Sequence, residues 1–155
     1  MPGSYVSNGQ QYAQPADLYA VISQAALTHP STGTSAQNAQ LLRASEQIDG
    51  YLRQQFVLPL VSWGADIVRA TCDIAAYWLV CLRGFNPEKD GQYKDNYDSA
   101  IKWCRDVSEG IISPDVVDGS PGATPGEQAQ VTAPVAYSPQ PVNSSGGTTR
   151  GTGSR

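Results

Sequence analysis

The sequence has one histidine, three cysteines, few basic residues and no long apolar run. Cys72, Cys81 and Cys104 are odd in number, sit on predicted helices and form no CxxC or Cys/His grouping, which argues against a disulfide framework and against a zinc site. Buried free thiols are expected instead. His29 precedes Pro30 in a Ser/Thr-rich loop with no nucleophile signature around it, so it reads as a loop residue rather than a catalytic base. No stretch approaches membrane-spanning length, and Met1-Pro2-Gly3-Ser4 lacks the basic and apolar regions of a signal peptide. A protein made and kept in a reducing cytoplasm is expected. The net charge is −4, with 11 acids against 8 bases in residues 1–112 and 3 against 2 in residues 113–155. No basic patch supports sequence-specific nucleic-acid binding.

What is present is helical periodicity. Residues 1–13 read as a polar surface arm anchored by Tyr5, Val6 and Tyr12. Pro15 and Asp17 mark the first turn of a short helix reaching about Ala26. Turn formers from Thr28 to Thr34 separate it from a second helix, Ala36 to Gln54, with Ser35 as its N-cap. In that helix Leu41, Ala44, Ile48, Tyr51 and Leu52 fall on one face. Asp49 and Arg53 lie one turn apart on its flank and read as a solvated pair. Gly50 inside the pattern is expected to allow close approach of another helix.

Phe56-Val57-Leu58-Pro59-Leu60 is a short apolar link, stopped from being helical by its proline and expected to plug the core from one end. A third helix, Ala65 to Leu82, carries a broad apolar face of Ile67, Val68, Thr71, Ile74, Ala75, Trp78, Leu79 and Leu82, and should be the most buried. Gly84, Asn86, Pro87 and Gly91 form a turn-rich connection to a fourth helix, Gln92 to Glu109, which Gly110 stops. Gly110-Ile111-Ile112 is a candidate strand for a partner. The fold class expected is all-α: about four helices over residues 14–112, preceded by the arm at 1–13.

Residues 113–155 hold 6 prolines and 7 glycines and cannot build a core of their own. Val116, Val117, Val131, Val135, Tyr137 and Val142 are spaced like the contacts of an extended arm. An arm of this length spans on the order of 140 Å when extended.

Candidate chemistry is sparse. Asp66 and Asp73 lie on one helix with Arg69 between them, which favours ion pairing on a solvated flank over acid–base or metal chemistry. Gly146-Gly147-Thr148-Thr149-Arg150-Gly151 lacks the strand, helix and lysine of a phosphate-binding loop. No catalytic residue, cofactor or metal is expected. Among the aromatics, Tyr77 and Trp103 fall beside the core stripes of their helices, which makes them candidate inter-subunit or portal contacts together with the arm residues Val116, Val117, Val131, Val135, Tyr137 and Val142.

Four segments in order carry a family resemblance. They are Tyr12-Ala13-Gln14-Pro15-Ala16-Asp17-Leu18; Ala44 to Leu52 running on through Phe56-Val57-Leu58-Pro59-Leu60; Cys72 to Leu79; and Tyr93-Lys94-Asp95 with Ala100-Ile101-Lys102-Trp103 and Gly110. Over residues 12–112 the chain resembles the head–tail adaptor (head–tail connector) family of Mu-like tailed bacteriophages. It departs at Gln54-Gln55, where relatives often carry a basic residue before the aromatic. The resemblance implies a structural virion protein, not an enzyme. It implies a homo-oligomeric ring, expected to be a 12-mer, placed between the portal protein and a neck or tail protein at the head–tail junction. Genomic DNA would pass through its aperture, and a mildly acidic lumen suits that, because carboxylates repel phosphates and let a duplex slide. The arm from Ser113 to Arg155 lies outside the resemblance and is a candidate clamp on the portal or on neighbouring copies. The alternatives are a tail-side neck protein, such as a stopper or tail-completion subunit, and a free binding module that recruits a soluble partner.

Overall fold

The computed structural model describes residues 9–122. They form an all-α unit of four α-helices with two 3-10 turns and a two-stranded sheet. The helices are α1 (Gln24–Leu27), α2 (Thr34–Leu52), α3 (Ala65–Arg83) and α4 (Pro87–Ser108). Strand β1 (Ser62–Trp63) pairs antiparallel with β2 (Val116–Val117), Ser62 opposite Val117 and Trp63 opposite Val116.

The centre is α3, packed against both α2 and α4. Its Ile67, Ile74, Ala75, Leu79 and Val80 are sealed from solvent, as the broad apolar face requires. Leu41, Ala44, Ile48 and Leu52 of α2 and Ala100, Cys104 and Val107 of α4 close over it. Leu82, expected on that face, is half exposed at the end of α3. The link does plug one end of the core: Leu60 is buried and Phe56 and Leu58 pack beside it, while the Leu58-Pro59 peptide is cis.

Several local expectations are corrected. The first helix is split: Pro15–Ala20 closes as a 3-10 turn, and Ser23, in an extended conformation, caps a separate α1 by accepting from Ala26 N–H. Helix α4 begins at Pro87 rather than near Gln92. Asn86 accepts from Glu88 N–H and proline occupies the first helical position, where its missing N–H costs nothing. Gly84, at φ 109°, makes the sharp exit from α3 that L side chains rarely tolerate. Gly50 faces open space, so it admits no close helix approach.

The segment from Gln10 to Ala13 is not a surface arm. Tyr12 and Ala13 are buried, the Tyr12 N–H donates to Ser45 Oγ, and the Tyr12 carbonyl accepts from Trp63 Nε1 at 2.9 Å. The Tyr12 ring meets Trp63 edge-on at 5.0 Å. Its hydroxyl donates to Asp49, which is 1 % exposed, so Asp49 is a buried acid with a dedicated donor and not half of a solvated pair. Gln10 adds two bonds to the backbone of Leu60, fastening the N-terminal strap across the link. Tyr5 and Val6 lie outside the described residues.

Packing also continues beyond Ile112. Ile111 and Ile112 make no strand; their N–H groups fold back onto the Asp106 carbonyl, and the strand comes later, at Val116–Val117, pairing inside the chain. Past β2, the Asp118 carboxylate accepts from the N–H groups of Val57 and Ser120, and Gly119 N–H donates to the Val57 carbonyl at 2.7 Å. A Cβ on Gly119 would stand 2.8 Å from the Pro59 oxygen, so only glycine fits this crossing.

Candidate interface surfaces

The sequence-predicted contacts separate into three groups. Val116 and Val117 are 4 % and 6 % exposed and serve the chain's own sheet and core, so they are withdrawn as inter-subunit contacts. The two adjacent valines form a short strand paired within the chain rather than contacts of an extended arm. Tyr77 and Trp103 remain partly open. Val131, Val135, Tyr137 and Val142 lie outside the described residues.

Tyr77 stands in an aromatic cluster at the α3–α4 turn, 4.7 Å from the Tyr97 ring and 5.9 Å from Phe85. A hydrogen bond with the Cys81 thiol holds its phenol above the usual tyrosine range. Trp78 meets Tyr97 at 6.4 Å and carries the Arg43 guanidinium over its ring at 4.5 Å. The cluster leaves Leu82 half exposed beside it, with Cys81 open to solvent. Cys81 therefore departs from the expected burial, whereas Cys72 and Cys104 are buried, and burial pushes both thiols up to about 12. Those two are inert packing groups at neutral pH.

Trp103 forms one wall of a cleft of about 250 Å³ between α3 and α4, lined also by Asp66, Arg69, Ala70, Asp73, Ser99 and Ala100. The two aspartates do not act as a pair. Asp66 turns back to accept from Ile67 N–H at 2.9 Å and from Asp115 N–H at 3.3 Å, which ties α3 to the segment before β2. Asp73 is buried rather than on a solvated flank. Burial raises its pKa, and Arg69, 3.8 Å away and largely in solvent, opposes that only in part.

A third surface was missed by sequence reasoning. Val57 and Val61 are 51 % and 59 % exposed on the link, and Ile111 is 69 % exposed after α4. A signal existed: Val57, Pro59 and Val61 alternate with Phe56, Leu58 and Leu60, a period of two that places every second residue outward. His29 is exposed in its loop, its Nδ1 accepting from Ser31 N–H. Among the described residues no group of three His, Cys, Asp or Glu side chains is placed to hold a metal, and no helix is long and apolar enough to cross a membrane. The features that remain among the described residues are exposed aromatic and aliphatic side chains on a helical body.

The family model described as "Bacteriophage Mu, Gp36" matches residues 12–133. The chain belongs to this family. A relative, the Mu-like prophage FluMu protein gp36 of Haemophilus influenzae, is 36% identical over 70 residues, 45% of this chain and 46% of that protein. The match thus spans about half the length of this curated relative. The Mu-like phage origin expected from the four motifs is shown. The matched region runs past Ile112, in keeping with the packing of β2 and Asp118 into the helical unit.

Proposed function

We propose that this gp36-family protein is a structural, non-enzymatic virion protein that joins the portal of a tailed phage head to the neck or tail. In this reading it sits at the head–tail junction as a homo-oligomeric ring, expected to be a 12-mer, through which genomic DNA passes. Membership of the Mu gp36 family over residues 12–133, the whole helical unit and the start of the arm, is the observation that carries the proposal. The surface fits it: the exposed features are Val57, Val61, Ile111, Leu82, Tyr19 and the Trp103 cleft, which are contact groups rather than a reaction centre. The net charge of −4 fits passage of DNA without sequence-specific grip.

The segment beyond Gly122 serves in this reading as a clamp onto the portal or a neighbouring copy. The test is binding of the purified portal by the full chain and by a chain ending at Gly122, with complexes sized by light scattering and imaged for rings. Ring formation on the portal that needs the arm supports both adaptor and clamp. Equal binding by the shorter chain keeps the adaptor and removes the clamp. Binding to isolated tails and not to the portal overturns the adaptor reading in favour of a tail-side neck protein.

A further inference from the structure

Among the described residues, the buried carboxylates of Asp49, Asp90 and Asp118 each accept a hydrogen bond; that of Asp73 accepts none. Its side chain is 10 % exposed, and the nearest cation, Arg69 Nε, is at 3.8 Å with its own side chain 81 % exposed. That separation is beyond hydrogen-bonding reach. The carboxylate opens onto a cleft, and with its nearest cation at that distance it keeps acceptor capacity for a donor entering from the solvent side. The direction from which one can come is set by the cleft, because Asp73 lines it opposite the half-buried indole of Trp103.

An indole face beside an undersupplied carboxylate matches one side chain best. A guanidinium stacks flat on the indole and directs its N–H groups in plane to the carboxylate, whereas an ammonium satisfies only the charge. The chain itself offers such a group. Arg105, in the last turn of α4, is exposed and has no ion pair among the described residues. Two helical positions separate it from Trp103, a rotation of about 200°, so the two side chains leave α4 on opposite flanks of its buried stripe of Ala100, Cys104 and Val107. Arg105 therefore cannot reach its own cleft. Donor and acceptor on opposite flanks of one helix define a head-to-tail contact, which repeats from copy to copy and closes when the rotation permits.

We propose that Arg105 of one copy enters the α3–α4 cleft of the next, stacked on Trp103 and hydrogen-bonded to Asp73. This deepens the ring reading, on which it rests, by naming the contact between neighbours. Asp73 is then a group kept for binding: its carboxylate faces the cleft, and the incoming guanidinium supplies in-plane donors that Arg69, at 3.8 Å, does not.

The test is sedimentation velocity of the full chain over a concentration series reaching about 1 mM, a range that captures weak pairwise contacts. Wild type is compared with Asp73→Asn, Arg105→Gln and the double variant. The proposal expects concentration-dependent association in wild type and a loss of at least about tenfold in the association constant for each single variant. It expects little further loss in the double, the non-additivity of two groups that touch. Thermal melts separate docking from folding, because Asp73→Asn removes a poorly compensated buried charge and is expected to melt no lower than wild type while associating less. A wild type that stays monomeric throughout overturns the proposal, as do single variants that associate like wild type or losses that simply add. The ring reading fails separately: if the Asp73 and Arg105 variants still form rings on the portal, the adaptor stands and this contact falls. If wild type associates through the cleft but binds no portal, the contact stands and the adaptor falls.

Discussion

Replacing Arg83 by methionine is expected to loosen the turn between α3 and α4 in a way that pH can reverse. Arg83 donates through Nη2 to both oxygens of Asp90, at 2.7 and 2.8 Å, and the same carboxylate accepts from Asn86 N–H at 2.8 Å. The pair joins the last turn of α3 to the first turn of α4, each charge at the helix end whose dipole favours it. Burial acts to raise the Asp90 pKa, but the Asn86 N–H and the Arg83 guanidinium outweigh it and hold the acid below the usual carboxylate range. Removing one partner of a fully buried pair costs about 3–5 kcal/mol. Here Arg83 is 27 % exposed and Asp90 keeps its backbone donor, so about 2–3 kcal/mol is expected at neutral pH, with the methionine retaining most of the stem packing. For a unit of this size that lowers the melting temperature by roughly 4 °C or more per kcal/mol.

The sign with pH follows from the depressed pKa. A carboxylate favoured in the folded state contributes stability above its ordinary value of about 4 and loses it as pH falls through the lower folded value. Urea denaturation of wild type and Arg83→Met should therefore show a wide gap at pH 7 that narrows toward pH 3 and below. Replacing both residues, Arg83→Met with Asp90→Leu, should cost less than Arg83→Met alone, since no unpaired charge stays buried. A gap under about 0.5 kcal/mol at neutral pH, the level of an ordinary surface pair, or one that persists unchanged in acid, refutes the reasoning.

Two glycines should respond in opposite directions. Gly50→Ala places a methyl in open space inside α2 and is expected to raise stability by up to about 1 kcal/mol, read from the urea midpoint. Gly119→Ala drives a methyl to 2.8 Å from the Pro59 oxygen and is expected to cost roughly 1–3 kcal/mol, with faster amide exchange at Val57 as the chain crossing opens. Tyr12→Phe takes the hydroxyl donor from buried Asp49 and is expected to cost about 1.5–3 kcal/mol, the range for a hydrogen bond to a charged group; a melting curve that overlays wild type refutes that.

How much of this was legible depends on whether the signal was local. The stripes of α2 and α3 were readable because Leu41, Ala44, Ile48 and Leu52, and Ile67, Ile74 and Leu79, recur at helical spacing and all are buried. Asp49 defeated the same logic. Its flank position and its neighbour Arg53 imitate a solvated pair, and only the return of Tyr12 from far away in sequence makes it a core residue. The start of α4 was missed because Asn86-Pro87 reads equally as turn or as cap with a first-turn proline, and the asparagine side chain decides between them. Trp103 was legible as a residue off its stripe. The buried Asp73 opposite it was not, since its burial comes from the packing of α4 against α3.

The boundary between body and arm shows the same dependence on distant partners. Apolar residues thin out after Ile112, which invites a truncation there as the way to isolate the arm. That cut would remove Val116 and Val117, the partners of β1, together with Asp118, whose carboxylate holds the Val57 N–H, and Gly119, which donates to the Val57 carbonyl. Leu60 and Trp63, beside the N-terminal strap, would lose the layer that covers them. A chain ending at Ile112 is expected to melt well below wild type, by more than the roughly 4 °C that 1 kcal/mol produces, and one ending at Gly122 to melt with it. Loss of portal binding by the shorter of these two would report an opened link rather than a missing clamp. The link, the strap and the strand are one fastening, so the packed body runs past Ile112 at least as far as Ser120, whose N–H and hydroxyl both donate to the Asp118 carboxylate. If the chain ending at Ile112 melts with wild type, the fastening adds nothing to the body and the boundary returns to the end of α4.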